Sequence, residues 1–324
     1  MKKMLCGLLC LLLVVTAAGC GQKRQITVGF AQISAESEWR SAHTESIKEA
    51  AREAGINLVF ADAQQSQEKQ IEAVRSFIAK RVDVIALMPI VSSGWDEVLT
   101  EAKKAHIPVV IVDRSVDSSP DLYTASISST SPKMGEEAFD FLASYFARTG
   151  KQPRDGGSVY HIAVLEGTLG ASATQARKKG FESELAAKGA GKFDIVANVD
   201  AHFRRQIGRE AMENLLRSST VPIDAVFAHN DDMALGAIQA IEAAGLRPGQ
   251  DIILVSVDGI RGIFEAMAAG KANCTIECDP LEGPILMETV KKIVAGEPVD
   301  KEIYLDSKVY TADTAAEELP NRKY

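Results

Sequence analysis

Residues 228–259 read A-H-N-D-D-M-A-L-G-A-I-Q-A-I-E-A-A-G-L-R-P-G-Q-D-I-I-L-V-S-V-D-G. The end of a buried strand is followed by an amphipathic helix, a Gly/Pro turn and a second buried strand. A helix between two such strands returns the second one parallel to the first, in a sheet covered on both faces. Asn230 and Asp258 therefore fall just past the carboxyl ends of two strands of one parallel sheet. Open α/β sheets bind ligands at that edge. Short, planar, polar side chains there suit a small molecule covered in hydroxyls, because each can make paired hydrogen bonds.

The same rhythm runs along most of the chain. Strand-like runs at 26–33, 56–61, 82–88 and 108–113 alternate with helical patterns at 39–54, 67–80 and 95–105. The series restarts with strands at 159–165, 194–198, 225–228 and 252–257, separated by helical patterns at 172–188, 204–216 and 232–244. Two series of βαβ units predict an α/β protein of two similar lobes with parallel sheets. A chain of 324 residues, 46% apolar, is long enough for two packed cores. The Gly-rich segment 147–157 reads as a surface loop within the second lobe, and the crossing between lobes is expected at 126–132. A helix at 283–295 and a strand at 302–309 return the chain, giving two or three hinge strands. The expected division is 26–128 with 279–302 in one lobe, 129–278 with 303–314 in the other, and a tail at 315–324.

Lys2 and Lys3 precede a short apolar run that closes on small residues, the pattern of an export signal over 1–19. Ala17-Ala18-Gly19-Cys20 resembles a lipobox with Cys20 as the lipidated residue, while Thr16-Ala17-Ala18 also satisfies an ordinary signal peptidase. A tether over 20–25 spans at most ~18 Å, so a lipidated Cys20 would hold the protein close to its membrane. Two cysteines remain beyond it, Cys274 and Cys278, on one expected strand. Their separation of roughly 13 Å exceeds the reach of a disulfide, about 7 Å between Cα atoms, so unpaired thiols are expected. Net charge is −8, and −10 once Lys2 and Lys3 leave with the signal. An acidic chain without a basic stripe is a poor partner for nucleic acid. The five histidines are scattered and suggest no metal.

Five segments in order resemble the periplasmic pentose/hexose-binding proteins of ABC importers. They are V-G-F-A-Q-I-S-A-E-S-E-W-R (28–40), D-A-Q-Q-S-Q-E-K-Q-I-E-A-V-R-S-F-I-A (62–79), P-V-V-I-V-D-R-S (108–115), L-E-G-T-L-G-A-S-A-T-Q-A-R-K-K-G-F (165–181) and the opening stretch. The resemblance implies a type I periplasmic binding protein: two Rossmann-like lobes, about three hinge strands, and a monosaccharide enclosed between them. It further implies a monomer, no cofactor, and the transmembrane subunits of an ABC permease as partner. Carried over by position, the ligand shell is Trp39, Arg40, Asp113 and Arg114 from the first lobe. Arg177, Phe203, Arg205, Asn230 and Asp258 come from the second, with Cys278 at the hinge where relatives often place an amide.

The residue types suit that ligand. Asp, Asn and Arg engage hydroxyls in defined planes, while Trp39 and Phe203 suit the C–H faces of a sugar ring. Arg114 beside Asp113 keeps the carboxylate ionised. Simpler roles fit some of the same residues. Asp113-Arg114 also reads as a surface ion pair, Asn230 and Asp258 as helix caps, Trp39 and Phe203 as core, and Arg177 as part of a solvated face. Glu36 and Glu38 read as solvent-exposed.

Other classes fit less well. No H-E-x-x-H, G-x-S-x-G or G-x-x-x-x-G-K-[ST] motif is present, so no enzyme is expected. Repressors of the lactose-repressor family share the two-lobe core and similar N-D-x-M-A-x-G stretches. They require a helix-turn-helix where this chain carries its apolar leader. A binding protein that feeds a membrane sensor fits as well as one that feeds a permease.

Overall fold

The computed structural model describes residues 24–129 and 131–324; the expected export signal over 1–19 and Cys20 lie outside the described residues. The first series comprises strands β1 (Thr27–Gln32), β2 (Asn57–Asp62), β3 (Val84–Leu87), β4 (Val109–Val112) and β5 (Ala125–Ser128), with helices α1 (Glu38–Glu53), α2 (Gln67–Ala79) and α3 (Asp96–Lys104) between them. The second comprises α4 (Lys133–Thr149), β6 (Tyr160–Glu166), α5 (Ser172–Glu184), β7 (Phe193–Asp200), α6 (Arg205–Ser218), β8 (Ala225–Ala228), α7 (Asp231–Ala243), β9 (Ile253–Asp258), α8 (Arg261–Ala268) and β10 (Cys274–Glu277). The chain then returns through α9 (Gly283–Ala295), β11 (Glu302–Tyr304), β12 (Val309–Thr311) and α10 (Ala312–Glu318).

These strands form two sheets, ordered β11-β5-β4-β3-β1-β2 and β12-β10-β9-β8-β6-β7. The named pairings are parallel except β12 with β10. The two-lobe α/β expectation therefore holds. The continuous apolar runs V-I-A-L, V-V-I-V and A-V-F-A are the wholly buried strands β3, β4 and β8, as a sheet covered on both faces requires. The mixed N-L-V-F-A-D lies half exposed at an edge. Side chains of Ser37, Ser66 and Asn230 accept from backbone N–H groups three residues on, which starts α1, α2 and α7.

Helix α9 packs on α1 of the first lobe, α4 on α5, and α10 on α8 of the second. Among the described residues the chain thus passes between the lobes after β5, after β10 and after β11. The expected strand at 302–309 is corrected to two. Strand β11 pairs with β5 in the first sheet and β12 with β10 in the second. The polar run Asp306-Ser307-Lys308 breaks it, which moves the third crossing past the expected boundary at 302. Helix α8, bounded by Gly259 and Gly270, is an element that the strand and helix patterns above do not include. The helix expected over 172–188 leaves α-geometry after Glu184 and ends in a single π turn, Leu185–Gly189. The expected tail is docked: Arg322 Nη1 meets Glu277 Oε1 at 2.8 Å, and its guanidinium lies over the Phe264 and Tyr310 rings.

Candidate functional site

The carboxyl ends of both sheets face one another, and each sends polar or aromatic side chains into the gap. Asp113 and Arg114 follow β4, Asp258 ends β9, and Cys278 follows β10. Asn230 caps α7 just beyond β8, Trp39 and Arg40 occupy the first turn of α1, Phe203 precedes α6, and Arg177 lies on α5. Together with Glu36, Ser37 and Ala173, these residues line one cavity. None of the nine expected residues in it is more than 4% exposed.

Charge in the cavity is balanced pairwise. Both terminal nitrogens of Arg40 donate to Asp113 Oδ2 at 3.1 Å. Arg114 Nη2 donates to Glu36 Oε1 at 2.9 Å and its Nη1 to the Ile90 carbonyl at 3.1 Å. Arg177 Nη1 donates to the His229 carbonyl, and its Nη2 lies 3.5 Å from Asp258 Oδ1. The Nε–H groups of Arg40, Arg114 and Arg177 are buried and make no hydrogen bond in the protein, although Arg114 Nε lies 3.9 Å from Asp113 Oδ2. Buried donors are ordinarily satisfied, so three such groups around one cavity mark a place for acceptor oxygens. The two aspartates differ. Burial disfavours the Asp113 charge, but Arg40 and Arg114 outweigh it and hold its pKa below the usual carboxylate range. Burial pushes Asp258 well above that range, against the pull of Arg177. Burial and the neighbouring guanidinium groups thus pull in opposite directions on both aspartates and balance differently in the two lobes.

Backbone strain gathers here. Asp113, Phe203 and Asp258 have φ of +62°, +60° and +129°, a region that costs a non-glycine residue about 1–3 kcal/mol. Each is held at its carbonyl: Asp113 by Ser128 Oγ, Phe203 by Asn230 Nδ2, and Asp258 by the Cys278 N–H. Two glycines set close approaches. A Cβ on Gly135 of α4 would lie 2.0 Å from the Arg177 carbonyl oxygen, so only glycine lets α5 bring Arg177 inward. A Cβ on Gly167 would lie 1.9 Å from Phe203 Cζ. Gly167→Ala is accordingly predicted to drive the Phe203 ring from its place and destabilise the fold by about 1–3 kcal/mol. Urea unfolding checks this, and an unchanged midpoint contradicts it.

Several placements differ from the sequence expectation. Arg205 does not line the cavity; its guanidinium turns to Glu38 and Asp232 at the mouth. Glu36, expected in solvent, buries its side chain to 1% between Arg114 and Arg40. Its backbone remains partly exposed, and loop residues carry no periodicity that would have revealed it. The Trp39 ring stacks on His43 at 5.1 Å with 12° between planes, and Arg40 lies 4.5 Å from its centroid. Its indole N–H donates to the Cys278 carbonyl at the hinge. Phe203 carries Arg114 at 5.0 Å and Arg177 at 5.9 Å. Cys278 is fully buried with its Sγ 3.0 Å from Ser129 Oγ. Burial raises its thiol pKa to about 12, so it behaves as a small neutral wall.

Behind the cavity, His43 meets Glu282 at 3.1 Å and the Gln32 amide at 3.3 Å. Burial, then Arg40, pushes His43 from 6.5 down to about 3. In that window the unfolded chain takes up a proton that the folded chain refuses, so acid erodes the stability His43 contributes. Relative to His43→Gln, the wild type should lose about 1.4 kcal/mol per pH unit of descent from 6.5. Urea titrations of both proteins across that range test it, and parallel curves contradict it.

With this geometry in hand, the likeness to known proteins is specific. A model of the periplasmic binding protein domain matches residues 28–298. The chain belongs to the periplasmic binding protein family. This binding protein is 40% identical to the galactofuranose-binding protein YtfQ of Escherichia coli, over 96% of its own length and 98% of the relative's. It superposes with a TM-score of 0.87 on a Mycobacterium smegmatis protein crystallised with β-D-fucofuranose, at 46% identity, covering 92% of this chain and 95% of the other. The arabinose ABC transporter component of Shewanella sp. ANA-3, bound to α- and β-L-arabinofuranose, matches with a TM-score of 0.84 at 42% identity, covering 92% and 95%.

Proposed function

We propose that this binding protein captures one monosaccharide, a hexose or pentose in furanose form, and delivers it to the permease of an ABC importer. It acts as a monomeric carrier rather than an enzyme, exported and held at the membrane through a lipidated Cys20. The observation that carries the reading is the convergence of three arginine Nε donors without a hydrogen bond with Asp113 and Asp258 in one cavity drawn from both lobes. An ionised Asp113 accepts from hydroxyls, Asp258 offers a second carboxyl group from the opposite lobe, and the guanidinium donors take ring and hydroxyl oxygens. Both lobes touch the sugar only when shut, so sugar shifts the population toward the shut form. The ring form is argued from the relatives, whose named ligands are furanoses.

A thermal-shift panel of monosaccharides tests the reading, since bound ligand raises the melting temperature with its affinity. Free sugars spend little of their time as furanoses, which weakens apparent affinity by that fraction. Ring-locked anhydroalditols remove the difficulty. The five-membered form should bind at least about 10-fold more tightly than the six-membered form. No shift with any monosaccharide overturns the function, and preference for the six-membered ring overturns the ring form.

A further inference from the structure

At the mouth of the cavity a second charged cluster joins the lobes. Arg205, the first residue of α6, sends Nη2 to Glu38 Oε1 at 2.7 Å and to Asp232 Oδ1 at 2.8 Å, with Nε 3.0 Å from the same Asp232 oxygen. Glu38 opens α1 in the first lobe, whereas Asp232 sits in the first turn of α7 in the second. The other Asp232 oxygen accepts from the Glu38 backbone N–H at 2.8 Å. One carboxylate thus takes a main-chain donor from the opposite lobe, and one guanidinium reaches across to that lobe's side chain.

We propose that Glu38, Arg205 and Asp232 form a closure latch: positioning residues that hold the lobes shut and slow release without touching the sugar. Neither Glu38, Arg205 nor Asp232 lines the cavity. Shutting brings together the amino-terminal ends of α1 and α7, both positive ends of helix dipoles. The two carboxylates in those first turns offset that repulsion, and Arg205 bridges them. Contacts made across the gap exist only in the shut form, which is the condition for shifting a two-state equilibrium. The side chains of Glu38 and Arg205 are 52% and 37% exposed, so solvent and salt moderate the pair. The latch draws its purpose from the sugar-capture reading, and it assigns Arg205 to closure instead of the ligand shell.

Stopped-flow and titration measurements on Glu38→Gln, Arg205→Gln and the double variant decide it. Both exposed sites tolerate an uncharged side chain of similar shape. Each single variant should raise Kd about two- to five-fold, through faster dissociation with little change in association. The factor should be the same for every sugar that binds, should shrink at high salt, and should be less than multiplicative in the double variant. Unchanged dissociation rates overturn the latch. Factors that differ from sugar to sugar also overturn it, because they place Arg205 on the ligand. A wild type that binds no sugar sinks the functional reading instead. The latch is then judged by small-angle scattering of the ligand-free chains, where the double variant must be the more open and equal radii count against it.

Discussion

Arg114→Gln is expected to weaken sugar binding by at least about 100-fold. Its guanidinium holds Glu36 at 2.9 Å, donates to the Ile90 carbonyl, lies 5.0 Å from the Phe203 centroid, and leaves Nε without a hydrogen bond. A hydrogen bond from a charged group contributes about 1.5–3 kcal/mol. Removing one member of a buried pair costs a further ~3–5 kcal/mol. Arg40, 3.6 Å from Glu36, recovers part of the second cost. The two contributions separate experimentally. Adding Glu36→Gln to the variant removes the stranded charge, so urea stability should return while sugar affinity stays lost. Calorimetry showing a Kd within about threefold of the wild type's would take Arg114 out of the ligand shell.

Trp39→Ala should produce a loss of similar size by a different route. Trp39 belongs to α1 of the first lobe, yet it is 3% exposed and packs within the core cluster of the second. Truncating a buried Trp costs about 3–5 kcal/mol. Because these contacts and the bond to the Cys278 carbonyl cross between lobe and hinge, the cost falls mainly on the shut form. Affinity should therefore drop by about 100-fold, with a smaller effect on the unfolding of the open chain. Trp39→Phe keeps most of the packing and loses the hydrogen bond, for about 10-fold at most. The chain has two tryptophans, and Trp95 is fully buried in a core of the first lobe. Sugar-induced change in fluorescence should accordingly vanish in Trp39→Phe. A signal that persists there, or an alanine variant of unchanged affinity, contradicts the assignment.

Sequence legibility followed periodicity. Buried strands announce themselves as apolar runs, so the positions of Asp113, Asn230 and Asp258, at the ends of such runs, are legible in the sequence. Helix entries were less readable. Arg205 and Arg177 both belong to helices that follow strands, but only Arg177 points inward, because Gly135 lets α4 and α5 touch. The pairing of Arg205 with Asp232 and Glu38 depends on how the two lobes meet, which no local pattern encodes. Glu36 lies in a loop without period, and its burial is decided by Arg114, 78 residues away. The split of β11 from β12 escaped for a related reason. Both are three-residue strands whose sheet is chosen by partners distant in sequence.

The central claim is that one sugar sits between the lobes and completes the donors that the protein leaves open. A crystal structure grown with the tightest-binding monosaccharide tests it most directly. The predicted result is a single sugar in the shut cavity, with oxygens within hydrogen-bond distance of Nε of Arg40, Arg114 and Arg177 and of both Asp113 and Asp258. A sugar bound elsewhere, or one that touches a single lobe and leaves those nitrogens unpaired, would contradict the account.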